Sequence, residues 1–216
     1  LTTSRDAIAE RLTSYADNND IPLDTEGIVI IDIEGPQFSP VYFGNYLDTA
    51  LPTYDPALLD RILDAYKLRI DVAREVFPQA KLGLYDSITP HPFGDAALGS
   101  MIRRQLGYDY AAANGLFDGL DYACPVVYEM WGVTDIQYVR HDAVPTLGIE
   151  ATRSLRKTTG EPLELMPMLS LTVFNGSSNH NREPALVSDV NRTIEILKGL
   201  GVNDYLIWNG NDNLVD

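Results

Sequence analysis

The chain has 216 residues, 45% of them hydrophobic, and a formal net charge of −15. That length and apolar content are enough for one domain with a sizeable core. The acidity argues against a nucleic-acid partner and against an anionic membrane surface, both of which reward clusters of Lys and Arg.

No run of 18 apolar residues is present, and the first residues lack the basic-then-apolar pattern of a signal peptide. Two expectations therefore stand: a cytoplasmic protein, or a secreted or periplasmic one whose leader has been removed. A single cysteine, Cys124, rules out an internal disulfide and sits in an apolar run, where a buried structural thiol is expected rather than a nucleophile.

Residues 3–18 read as a helix capped by Thr3 or Ser4, with Ile8, Leu12 and Tyr15 at helical spacing. The stretch 27–34 follows, Gly-Ile-Val-Ile-Ile-Asp-Ile-Glu, an unbroken apolar strand of the kind buried on both faces of a parallel sheet. Asp32 and Glu34 stand at its carboxyl end, two residues apart and so on one face, with Cα atoms about 6.6 Å apart. Ile28 and Ile30 share that face and would run it into a barrel core. Acids at strand ends also serve simply as caps, but paired carboxylates at the carboxyl end of a buried parallel strand are where α/β barrels place catalytic groups.

A long Pro-, Gly- and Tyr-rich loop, 35–54, offers Phe38, Tyr42, Phe43 and Tyr46 as walls of a cleft. Asp55-Pro56 opens a helix whose core stripe is Leu59, Ile62, Leu63, Tyr66, Ile70, Ala73 and Val76. A strand at 81–88, a helix at 95–112 around Met101, Ile102 and Leu106, and a strand within 119–131 come next. A helix over 141–157 is weakened in its first half by Pro145 and Gly148. The strand 163–174, a helix over 184–200 with Val187, Val190, Ile194 and Leu197 inward, and the strand 204–210 complete the series.

Strict alternation of strand and helix predicts a parallel α/β fold. No glycine-rich phosphate loop follows any strand, so neither a dinucleotide fold nor a P-loop is supported. The expectation is a (β/α)8 TIM-type barrel, incomplete over 1–216 with about five strands identifiable, as a single domain within a longer chain.

Read together, the strand ends resemble the hyaluronidase family of glycoside hydrolases and, more distantly, chitinase-like barrels. Residues 30–34, Ile-Ile-Asp-Ile-Glu, are similar to the family's strand carrying Asp-x-Glu, and Leu82-Gly-Leu-Tyr85 to its next strand. Cys124-Pro-Val-Val-Tyr128 resembles its Tyr-Pro-x-x-Tyr strand, and 163–173 followed by Tyr205-Leu-Ile-Trp208 the closing strands. The resemblance covers almost the whole chain and is one of architecture more than identity. It implies cleavage of a β-linked polysaccharide, with Glu34 as general acid and Asp32 stabilising a 2-acetamido group of the substrate that attacks the anomeric carbon, which retains configuration. It also implies that Trp208 floors a sugar subsite. The chain departs from the family at Cys124, where it has tyrosine, at Asn209, where it has glycine after the tryptophan, in lacking its disulfides, and in its acidity. A polysaccharide other than hyaluronan, a neutral one included, fits these departures.

Further candidates for the substrate are Tyr85 and Tyr128, of inward parity, Asp86, Trp131 and Asn175; buried tyrosines with satisfied hydroxyls and an asparagine closing a turn are the plainer alternatives. Glu129 shares the outward parity of Asp86, for which capping or a loop ion pair is the simpler role. His91, His141 and His180 are scattered without zinc-ligand spacing, so no cofactor is expected. Magnesium or calcium on Asp32, Glu34, Asp86 and Glu129 is the metal-dependent alternative. Ser87 and Ser170 lack a recognisable His–Asp partnership. A catalytically silent barrel that binds carbohydrate is the alternative from another class.

Overall fold

The structure, a computed structural model, describes residues 3–33, 40–85, 97–127, 143–173 and 183–208. These fall into two compact units, one of residues 1–85, 102–123 and 155–164, the other of 86–101, 124–154 and 165–216.

In the first unit α1 (Arg5–Asn18) begins at Ser4, whose hydroxyl accepts from the Ala7 amide, and packs along α2 (Pro56–Val76). Asp55 caps α2 through the Leu58 amide, with proline in the first turn where no hydrogen bond is lost. The stripe of α2 is buried as its spacing predicts, with Val72 added and Val76 only partly covered. On α1 the expected Tyr15 is 62% exposed, and Ala16 lies at the interface instead, where a small side chain lets Phe77 and Ala80 approach.

The sheet runs in the order β1 (Ile28–Ile31), β2 (Lys81–Tyr85), β3 (Tyr122–Cys124), β4 (Glu164–Leu165). β1 and β2 are parallel, Ile28 opposite Lys81 through Ile31 opposite Leu84. β1 is an edge strand of that sheet, and Ile28 is 39% exposed, so the expectation of burial on both faces fails for this end. Beyond Ile28 the strand is covered, with Val29 and Ile30 half-buried and Ile31 buried. Val29 meets Ala16, Phe77 and Ala80.

The loop 35–54 contains a 3-10 helix, Pro40–Tyr46, which the sequence reading left as irregular. It lies tightly on α3 (Ala97–Ala113): a Cβ on Gly44 would stand 1.7 Å from the Arg103 carbonyl oxygen, and one on Gly107 2.4 Å from the Gly44 nitrogen. This close approach sets which face of α3 is covered. Arg104, Tyr108 and Ala111 are buried, whereas the expected Ile102 and Leu106 are 63% and 45% exposed. The Met101 side chain lies outside the described residues.

In the second unit α4 (Ala143–Arg153) holds Pro145 in its first turn, where the amide has no helical partner to lose, so proline does not break it. The helix stops at Arg153, short of the predicted 157; Arg156 instead bridges Pro162 within the first unit. The predicted strand 163–174 divides into β4 and β5 (Met168–Ser170) at Pro167, which lacks an amide for the ladder. β5 pairs in parallel with β6 (Leu206–Trp208) and takes a parallel bridge from Val126. α5 (Val187–Gly199) starts three residues later than predicted because Pro184 is bridged to Thr172. Its buried face is Asp189, Thr193 and Leu197, while Val187, expected inward, is 76% exposed in the first turn. Gly201, at φ +74°, closes the helix in the left-handed region that favours glycine. Val127, Ile149, Leu169, Leu197 and Val202 form the core here. Among the described residues the parallel strands do not close into a barrel.

The contact of α3 with the 3-10 helix decides the sign of one substitution. Gly107→Ala should gain about 1 kcal/mol from helix propensity alone. The clash with the Gly44 backbone predicts the opposite, a net loss of roughly 1–3 kcal/mol in denaturant unfolding.

Candidate active site

Neighbouring residues on parallel strands point the same way, so the register sorts the side chains of β1 and β2 into two faces. Val29 and Ile31 share the helix-covered face with Leu82 and Leu84. Ile30 and Gly83 take the other. Asp32 and Tyr85 each follow the last registered pair by one residue, and alternation puts both on the face of Ile30 and Gly83. Asp32 is exposed and Tyr85 half-buried. Strands about 4.8 Å apart bring a carboxylate and a phenol at equivalent positions within reach of one ligand. This pairing of Asp32 with Tyr85 at the carboxyl ends of adjacent strands is the part of the predicted site within the described residues.

Ile33 continues the chain past Asp32, and its carbonyl accepts a hydrogen bond of 3.3 Å from the Tyr66 hydroxyl. The sequence reading placed Tyr66 in the α2 core stripe and missed this role, because periodicity reports the ring and not the hydroxyl.

Glu34, Asp86, Tyr128, Glu129, Trp131 and Asn175 lie outside the described residues, as do His91, His141, His180, Ser87 and Phe38. Trp208 ends β6, its backbone opposite Ser170; its side chain is outside the description. Ser170 itself is buried, its hydroxyl 3.1 Å from that of Thr172 and accepting from the Thr172 amide, so it serves a turn at the end of β5. Among the described residues no group of three His, Cys, Asp or Glu side chains converges to hold a metal ion.

Of the aromatic walls expected from the loop, Phe43 is instead core: it is fully buried, edge-on to Tyr66 and tilted against Tyr108. Tyr42, 40% exposed, does line a cleft of about 580 Å³ together with Asn45, Tyr46, Thr53, Tyr54 and Asp55. Burial, reinforced by the negative charge of Asp55, pushes the Tyr46 hydroxyl above its ordinary range and keeps it protonated.

Among the described residues a charge cluster stands at the opposite ends of the strands. Arg74 bonds Asp121 at 2.6 Å and the Ala80 and Gly119 carbonyls, while Lys81 lies 3.3 Å from Asp121 and the Leu82 amide donates to it at 2.9 Å. Asp121 precedes β3 and Lys81 begins β2, so this is the amino-terminal edge of the sheet, the stability side of a barrel fold. Burial alone would raise the Asp121 carboxyl; the bonds from Arg74 and the Leu82 amide outweigh it and hold the group below its ordinary range.

No protein-family model matches the sequence, and no curated protein matches it. Among solved structures the chain is similar to bee venom hyaluronidase in a monoclinic crystal, with a TM-score of 0.65 and 15% identity over 99% of this chain and 72% of that one. Bee venom hyaluronidase in complex with a hyaluronic acid tetramer gives a TM-score of 0.63 at 15% identity, over 99% of this chain and 70% of that one. The fold is therefore hyaluronidase-like, an α/β architecture of parallel strands, as the strand-end motifs led us to expect.

Two measurements check these assignments. Asp121→Asn should lower the unfolding free energy by about 1–2 kcal/mol near neutral pH. Because the folded carboxyl is depressed, its contribution is present above the unfolded value near 4 and is lost as pH falls through the folded one. The gap between variant and parent should therefore close on acidification below about pH 4. Cys124 is buried, and desolvation pushes its thiol up to about 12; it should resist iodoacetamide in the folded protein and react fully in denaturant.

Proposed function

We propose that this chain is a glycoside hydrolase that cleaves a β-linked polysaccharide, with Glu34 as the general acid and Asp32 as its partner. The observation that carries the reading is Asp32, immediately beyond β1 and on the same face as Tyr85, on a hyaluronidase-like fold. Two carboxyls a few ångströms apart resist joint ionisation, so one keeps a proton near neutral pH for the leaving oxygen. The other, ionised, stabilises positive charge developing at or beside the anomeric carbon.

In this reading the attacking nucleophile is the substrate's own 2-acetamido group where the sugar has one, the alcohol leaves protonated by Glu34, water then opens the resulting oxazolinium ring, and configuration is retained. Tyr85 and Tyr128 hydrogen-bond the reacting sugar, Trp208 and Trp131 stack on its C–H faces, and Asn175 and Asp86 bind further hydroxyls. The protein acts outside the cytoplasm, secreted or periplasmic, and without a cofactor. One of the solved neighbours carries a hyaluronic acid tetramer, which supports an oligosaccharide as the ligand class. The charge of −15 favours a neutral polysaccharide over a polyanion such as hyaluronan.

The test is hydrolysis of a panel of neutral and anionic β-linked polysaccharides, with and without 2-acetamido groups, by the parent and by Glu34→Gln. The parent should turn over at least one member, and the variant should lose roughly 10²–10⁴-fold in kcat, the range for a removed general acid. Cleavage confined to acetamido sugars supports substrate assistance. Oligosaccharide binding without turnover would replace the hydrolase by a carbohydrate-binding barrel, and turnover indifferent to Glu34 would overturn the assignment.

A further inference from the structure

We infer that Tyr66 is a positioning residue for the carboxylate-bearing end of β1, holding the Ile33 carbonyl through its hydroxyl. This rests on the reading of Asp32 and Glu34 as the reacting carboxylates, since Ile33 is the residue between them.

The ladder between β1 and β2 ends with Ile31 opposite Leu84. Asp32 and Ile33 follow immediately beyond the last registered pair. Tyr66, 33 residues away on α2, supplies a donor at this point, 3.3 Å from the Ile33 oxygen. Holding that carbonyl restrains the residue that directly follows Asp32.

The donor is itself immobilised. Tyr66 is 1% exposed, between Leu63 and Ile70 on the buried face of α2. Its ring meets Phe43 edge-on at 5.7 Å and 89°; Phe43 lies 6.1 Å from Tyr108, which stacks on Phe117 at 6.3 Å and 5°. These rings come from α2, the 3-10 helix, α3 and the turn after it, so four segments of the first unit set the position of one hydroxyl. Phenylalanine would fill nearly the same volume, and every other member of the α2 stripe is purely aliphatic. The hydroxyl, costly to bury in such a setting without a partner, is what joins the core to the strand end. Reacting groups need placement to within a fraction of an ångström, and a 1 Å error costs on the order of 10²-fold in rate.

Tyr66→Phe keeps the packing and removes the bond. On the best substrate of the panel above, kcat should fall about tenfold or more with KM little changed, the signature of misplaced chemistry rather than lost binding. Amide hydrogen exchange over residues 28–34 should quicken in the same variant. Leu59→Val, which thins the core of the same helix without touching Ile33, should lower the melting temperature yet keep kcat and the exchange of 28–34 at parental values. Parental kcat and exchange in Tyr66→Phe, while Glu34→Gln abolishes turnover, would overturn this inference alone. An equal loss of kcat in Leu59→Val would also overturn it, by showing that general core loosening is the cause. If Glu34→Gln and Asp32→Asn both leave turnover intact, the reading of the site falls first and the role of Tyr66 falls with it.

Discussion

The parallel pairing of β1 with β2 is the constraint on which the rest depends. Once Ile28 faces Lys81 and Ile31 faces Leu84, every side chain on the two strands is committed to one of two faces. A slip of one residue would exchange them, turning Asp32 towards the helices and Ile31 outwards. The burial of Ile31 opposes that slip, since it would carry the Asp32 carboxylate into a buried apolar place. The same contacts that bury one face therefore hold Asp32 and Tyr85 on the other.

Much of this was legible because it rests on local rules. The α2 stripe from Leu59 to Ala73, its Asp55 cap, the β1 and β2 strands and the buried thiol of Cys124 follow from periodicity, capping chemistry and apolar runs. What escaped was set by contacts between distant segments. Glycine carries no periodic signal, so the approach of Gly44 to Gly107 was invisible, and with it the rotation of α3 that exposes Ile102 and buries Arg104. Pro145 and Gly148 weaken the expectation for the first half of α4, yet a proline in the first turn is harmless, whereas Pro167 divides a strand. Strand parity gives Tyr85 an inward place, and the register extended by alternation sets it on the face of Asp32. The Tyr66 hydroxyl had no signal at all, because a tyrosine in a helical core stripe looks like any other apolar residue.

The two ends of the sheet are built from different chemistry, and the difference is an argument about function. At the amino-terminal edge, Asp121 is saturated: Arg74, Lys81 and the Leu82 amide all converge on it, and its charge is held by neighbours that leave it nothing to offer a ligand. At the carboxyl end, Asp32 is exposed on the face of the half-buried Tyr85, and the Ile33 carbonyl after it accepts from the Tyr66 hydroxyl. A carboxylate neutralised by several cations is a strut, because its protonation would cost those contacts. Under the proposed role of Asp32, the core aromatics packed on Tyr66 supply the rigidity a reacting carboxylate needs.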